Sequence, residues 1–241
     1  MTSHSLVIRR LSEALQRANS KASIRWKYSS NSPREAAVLA LLADARTDTT
    51  ATKEMRIEDL GVVLTVRAAG LRRHAGEVSL CGGAVDATDE NAVAAAIRET
   101  HEEIGVDPRR LAILGPLPSV PDHTFETRVA PFLALVVGGA QNASSSTSAT
   151  PPNASPAIAR FDKLSLVLSP NEVESCFVMK IADLLDSGNQ AFEQFRGNAQ
   201  LRIPTWYGPN NERIWGLTAY IIDNMLKTVI QPAINEQKNN S

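Results

Sequence analysis

Arg98, Glu99, Glu102 and Glu103 fall within six consecutive residues, and their spacing matters as much as their charge. On a helix of 3.6 residues per turn, the three glutamates lie within an arc of about 100°. Glu99 and Glu103 form a like-charge i,i+4 pair, which is mildly unfavourable on a helix. Arg98 stands four residues before Glu102 and can orient that carboxylate. Mg²⁺ or Mn²⁺ would be a natural counter-charge, because hard divalent cations take oxygen ligands from carboxylates, water and phosphate. A solvated acidic helix face is the plain alternative.

A helix must carry these residues, and the sequence supplies one. Val93, Ile97, Thr100 and Ile104 recur at helical spacing, which predicts a helix from Glu90 packed through Val93, Ile97 and Ile104, its glutamates on an exposed patch. Asp89 is the expected N-cap, and Gly105 with Asp107-Pro108 supplies the stop.

Arg98-Glu99-x-x-Glu102-Glu103-x-Gly105 resembles the core of the Nudix box. Upstream, Leu71-Arg72-Arg73-His74-Ala75-Gly76-Glu77-Val78 leads to Gly82-Gly83, with Asp86 and Asp89 following, and this segment is similar to the coenzyme A diphosphatase branch of that superfamily. Leu80-Cys81 stands where the branch has Phe-Pro, and Ala84 occupies the position at which the usual box begins with Gly. Further on, Asn171-Glu172-Val173 and the phrase from Ile214 to Ala219 resemble the same branch. The resemblance covers roughly residues 35–230 and implies an α/β/α sandwich with a mixed β-sheet.

It also implies an activity: hydrolysis of the diphosphate of coenzyme A or an acyl derivative to 3′,5′-ADP and (acyl) 4′-phosphopantetheine. Glu99, Glu102 and Glu103 would hold Mg²⁺ or Mn²⁺, Arg98 would orient them, and Glu99, Glu103 or Glu172 would act as base. Arg72, Arg73 and His74 are candidates for binding the substrate phosphates, although solvated basic residues on a turn are the simpler reading. Two other readings stay open: a Nudix hydrolase of ADP-ribose or NADH, and a non-catalytic nucleotide-binding module.

Around this core, residues 1–34 carry Arg9, Arg10, Arg17, Lys21, Arg25 and Lys27 against one acid, Glu13, with Leu6, Ile8, Leu11 and Leu15 on part of a helical face. That composition suits either a mitochondrial transit peptide or an ordinary N-terminal helix. A peroxisomal location, although the final Asn-Asn-Ser lacks the Ser-Lys-Leu type of signal, and a cytoplasmic one are further options.

Strands are expected at 36–42, 62–66, 111–120, 129–137, 176–179 and 201–207, and short or long helices from Ile181 and Ile214. Residues 44–57 read as a loop insertion, about 138–160 as a disordered one, and 231–241 as a polar tail. A net charge of −1 gives no footprint for nucleic acid, and no apolar run approaches the roughly 18 residues of a membrane span. Cys81 and Cys176 are expected to stay reduced in an intracellular protein.

Overall fold

The computed structural model describes residues 2–21, 26–47, 54–138, 157–195 and 198–239. Its centre is strand β1 (Arg34–Asp44), whose Ala/Leu/Val run is buried on both faces from Leu39 onward. Such a two-faced apolar strand belongs in the middle of a sheet. It pairs in parallel with β7 (Thr127–Val136) and antiparallel with β2 (Leu60–Arg67) and β4 (Cys81–Ala84). Strands β3 (Val78–Ser79) and β8 (Val173–Lys180) flank β2, while β5 (Leu111–Pro116) and β6 (Val120–Pro121) pair with β7. The result is an eight-stranded mixed sheet.

Alternation along the strands divides the core between the two faces of the sheet. Leu39, Leu41, Val63 and Cys81 point to the face covered by helix α2 (Ala92–Ile104). Ala40, Leu42, Val62 and Leu64 point to the other face. There they meet α1 (Ser3–Asn19) and a C-terminal helical run: α4 (Gly216–Met225), one π-helical segment (Leu226–Ile230) and α5 (Gln231–Asn239). The mixed sheet with helices on both faces is the architecture expected from the sequence. Between β8 and the C-terminal run, α3 (Ile181–Leu185) precedes a smaller sheet of β9 (Ala191–Phe195), β10 (Asn198–Tyr207) and β11 (Arg213–Ile214). Trp206, fully buried, donates its indole N–H to the Leu184 carbonyl at 3.2 Å and ties this sheet to α3.

Several local expectations are corrected. The stretch read as a polar tail continues the last helix to Asn239, because Ala233 and Ile234 bury against the core. Ile214 pairs with Trp206 in β11, and the helix starts only after it, at Gly216. The N-terminal segment forms a helix, the plainer of its two readings, with Val7, Leu11, Ala14 and Leu15 buried in the same cluster as the C-terminal helices. Most of the charge-free insertion lies outside the described residues, but its end is packed, with Ile158 bridged to Val137 and Arg160 to Asp44. The later part of the 44–57 loop also packs, through buried Met55 and Ile57, while 48–53 lie outside the described residues.

Candidate active site

Helix α2 begins later than its periodicity suggests. Asn91 is the N-cap, its side chain accepting from the Ala94 N–H at 3.0 Å, and Gly105 closes the helix at φ +70°. Asp89, expected as the cap, is engaged elsewhere: its two oxygens accept from Arg98 Nε at 3.0 Å and Nη2 at 2.9 Å.

The buried face is also rotated from the expected one. Ala95, Ala96, Thr100, Glu103 and Ile104 are buried, whereas Val93 and Ile97 are only partly so. Alanines let the helix lie close to β1 and β4, so small residues rather than large ones set the contact. The same rotation carries Glu103 inward. Predicted to be exposed, it is only 3% accessible.

Two glycines make room for the carboxylates. Gly82 has φ +143°, and a Cβ there would stand 2.2 Å from the Ala37 carbonyl oxygen. Its N–H donates to Glu103 Oε2 at 3.2 Å. A Cβ on Gly83 would stand 2.6 Å from the Glu99 carboxyl carbon, so the Glu99 carboxylate fills the space that a side chain would take.

Arg98 is the hub. Besides Asp89 it donates from Nη1 to Glu99 Oε1 at 2.9 Å and to Glu102 Oε2 at 3.0 Å, and from Nη2 to the Ala84 carbonyl at 3.3 Å. The orientation of Glu102 by Arg98, expected from their spacing, is present, and Glu99 shares it. These bonds hold Asp89 below the usual carboxylate range.

Glu99 and Glu103 are shifted the other way. Burial pushes Glu103 up to about 7, the charges of Glu99 and Glu172 add to the rise, and the Gly82 N–H and Arg67 oppose it. Glu99 is raised by burial first, and by Glu102 and Glu172 against the pull of Arg98. Glu172 therefore lies close enough for its charge to reach both. The turn that carries it is docked on the box helix, since the Ser169 N–H donates to the Glu103 carbonyl at 2.9 Å and the Val167 N–H to that of Ile104 at 3.1 Å.

The cysteines line the same floor. Burial raises the Cys81 thiol well above its ordinary value and the Cys176 thiol to about 12, with Glu103 contributing to both, so each stays a protonated thiol.

Arg72, Arg73 and His74 are not drawn into the carboxylate cluster. All three are exposed on the turn between β2 and β3, and His74, at φ +56°, pairs with Glu77 at 2.9 Å. Besides Arg98, a second arginine, Arg67, reaches the cluster at Glu103. Its Nη1 stands 4.0 Å from Glu103 Oε1, and its buried Nε has no hydrogen-bond partner. The sequence did carry a signal for it: Arg67 follows Val63 and Thr65 at every second position of β2, on the face that α2 covers.

A divalent cation fits this donor set. The oxygens are hard, the carboxylates repel one another, and backbone without Cβ cradles Glu99. Among the described residues no three such side chains already converge as a metal site. Arg98 occupies one oxygen of Glu99 and one of Glu102, and ligation at those oxygens would exchange the bonds for the ion.

A mixed sheet sandwiched by helices, with a glutamate-rich helix laid on a Gly-Gly strand, is the arrangement of a Nudix-type hydrolase. The NUDIX domain pattern matches residues 33–195, and the chain belongs to this family of hydrolases. It is 34% identical over 164 residues to the protein titled "Uncharacterized Nudix hydrolase NudL" of Salmonella paratyphi B, covering 67% of this chain and 71% of the relative. The Salmonella newport protein of the same title gives the same figures. Among solved structures, a MutT/nudix family protein from Enterococcus faecalis aligns with a TM-score of 0.47 at 16% identity, over 94% of this chain and 73% of that one. Nudix hydrolases generally use divalent metal ions and act on small molecules. No helix among the described residues is long and apolar enough to cross a membrane.

Proposed function

We propose that the chain hydrolyses the diphosphate of coenzyme A or acyl-coenzyme A, releasing 3′,5′-ADP and (acyl) 4′-phosphopantetheine. The observation that carries this reading is Arg67, which ends β2 beside Glu103, with the exposed Arg72-Arg73 turn following it a few residues along the chain. Arg67 has an unused donor for a diphosphate oxygen. Arg72 and Arg73, five and six residues further along, are available to the separate 3′-phosphate that distinguishes coenzyme A from other ADP conjugates.

Glu99, Glu102 and Glu103 would hold Mg²⁺ or Mn²⁺, which when bound neutralises diphosphate charge and acidifies water. Arg98 keeps Glu99 and Glu102 on the cleft side of α2. With those carboxylates committed, Glu172 is the acid left to accept a proton from attacking water: it is exposed and has no ion pair among the described residues. Water then adds to one phosphorus as the bridging P–O bond breaks, and the leaving phosphate carries away the charge. His74, tied to Glu77, shapes the turn in this reading.

Comparing turnover of coenzyme A with its 3′-dephospho form tests the assignment. An Arg72→Ala, Arg73→Ala double variant should lose the preference for coenzyme A; an unchanged preference would remove these residues from the site. Glu172→Gln should lower kcat by about 10²- to 10⁴-fold while leaving metal affinity intact.

A further inference from the structure

We propose that a cavity on the opposite face of the sheet is a binding site for a small oxyanion, with Arg10 as its anchor. The cavity, about 320 Å³, is lined by Ser3, Val7 and Arg10 of α1, Glu54 and Met55 before β2, and Gln237 of α5 among others. Of this lining Val7 and Met55 are buried, and Arg10 is only 8% exposed. No hydrogen bond or ion pair engages Arg10 among the described residues, unlike its neighbours Arg9 and Arg17, which pair with Glu13 and Glu236.

A guanidinium cannot escape burial by losing its proton, so Arg10, largely covered and without a protein partner among the described residues, loses solvation here although its nitrogens are not sealed from solvent. Apolar residues of similar length would pack there at no such cost. The arrangement makes sense when an anion completes it: an unpaired guanidinium among the lining residues, apolar surface from Leu6, Val7 and Met55, and Arg56 in the same lining. Arg56 is itself held by Asp59 at 3.5 Å and adds field rather than a free fork. Glu54, the one acid at the rim, is exposed and opposes an anion.

The site is separate from the carboxylate cluster. Glu54–Arg56 precede the start of β2 whereas Arg67 ends it, roughly 23 Å away along the strand at about 3.3 Å per residue, and α1 and α2 cover opposite faces. Because α1, α5 and the loop before β2 all contribute walls, an occupant would fasten the two ends of the chain together. The shared chemistry is an oxyanion matched to the guanidinium fork, either a phosphate or the carboxylate of a short apolar acid.

Isothermal titration of the full chain in EDTA, with inorganic phosphate and separately with butyrate, distinguishes these sources. Saturable binding of one of them is expected, weakened roughly ten- to hundred-fold in Arg10→Met, retained in Glu103→Gln, and tightened in Glu54→Gln. Arg10→Met should keep its diphosphatase activity, which shows that it folds. The proposal is overturned if neither probe binds saturably, or if Arg10→Met binds as tightly as the parent. It is equally overturned if Glu54→Gln destabilises the protein and leaves anion binding unchanged, since Glu54 would then be the internal partner of Arg10.

Discussion

Glu103→Gln should make the metal-free protein more stable while destroying its activity. Glu103 is buried and its carboxyl is pushed up to about 7 from an ordinary 4.5, so the folded state holds this proton more tightly than the unfolded state does. Stability from the protonated group is fully present below pH 4.5 and drains away as pH rises to about 7, because there the unfolded chain binds fewer protons. At about 1.4 kcal/mol per pH unit, the loss is on the order of 3 kcal/mol by pH 8. Glutamine keeps the acceptor for the Gly82 N–H and carries no charge, so the variant escapes the loss. In a chain of this size that corresponds to a Tm about 6–12 °C above the parent at pH 8 in EDTA, shrinking toward zero near pH 4.5. Saturating Mg²⁺ should close the gap by stabilising only the parent. Circular-dichroism melts at several pH values, with and without Mg²⁺, measure this directly. A variant no more stable than the parent at pH 8, or a difference that does not change with pH, would refute the reasoning.

Other perturbations have equally definite outcomes. Gly83→Ala should fold with nearly parental stability yet lose most of its turnover, since the new Cβ displaces the flexible Glu99 carboxylate; melts alongside initial rates separate the two effects. Trp206→Ala should cost about 3–5 kcal/mol in urea denaturation, because a fully buried indole and its bond to Leu184 are both lost. Deleting residues 1–20 removes Val7, Leu11, Ala14 and Leu15 from the core and should lower Tm by more than about 10 °C. A truncated chain that melts like the parent would instead return this helix to the status of a dispensable leader.

The sheet was legible in the sequence because its central strands are apolar runs rich in Val and Leu, and the glutamate-bearing helix because its C-terminal stop and its charges are marked. Burial on that helix was not. Hydropathy places Val93 and Ile97 on the inner face, but close approach to a Gly-Gly strand favours Ala95 and Ala96 and carries Glu103 inside with them. Periodicity ranks residues by hydrophobicity, whereas the fold here ranks them by size. Arg67 was missed for a related reason: at the end of a strand it looks like a polar stop, although its alternation with Val63 and Thr65 sets it on the face of β2 that the carboxylates occupy. The last helix was read as a tail because its two buried residues, Ala233 and Ile234, are outnumbered by polar ones that face solvent.

The most direct test of the central claim is product analysis of the purified chain with Mg²⁺ or Mn²⁺ on coenzyme A, an acyl-coenzyme A, ADP-ribose and NADH, beside Glu102→Gln. Release of 3′,5′-ADP from the coenzyme A substrates, abolished in the variant, is the predicted result. Turnover confined to ADP-ribose or NADH would contradict the substrate, and no turnover of any diphosphate would contradict the hydrolase itself.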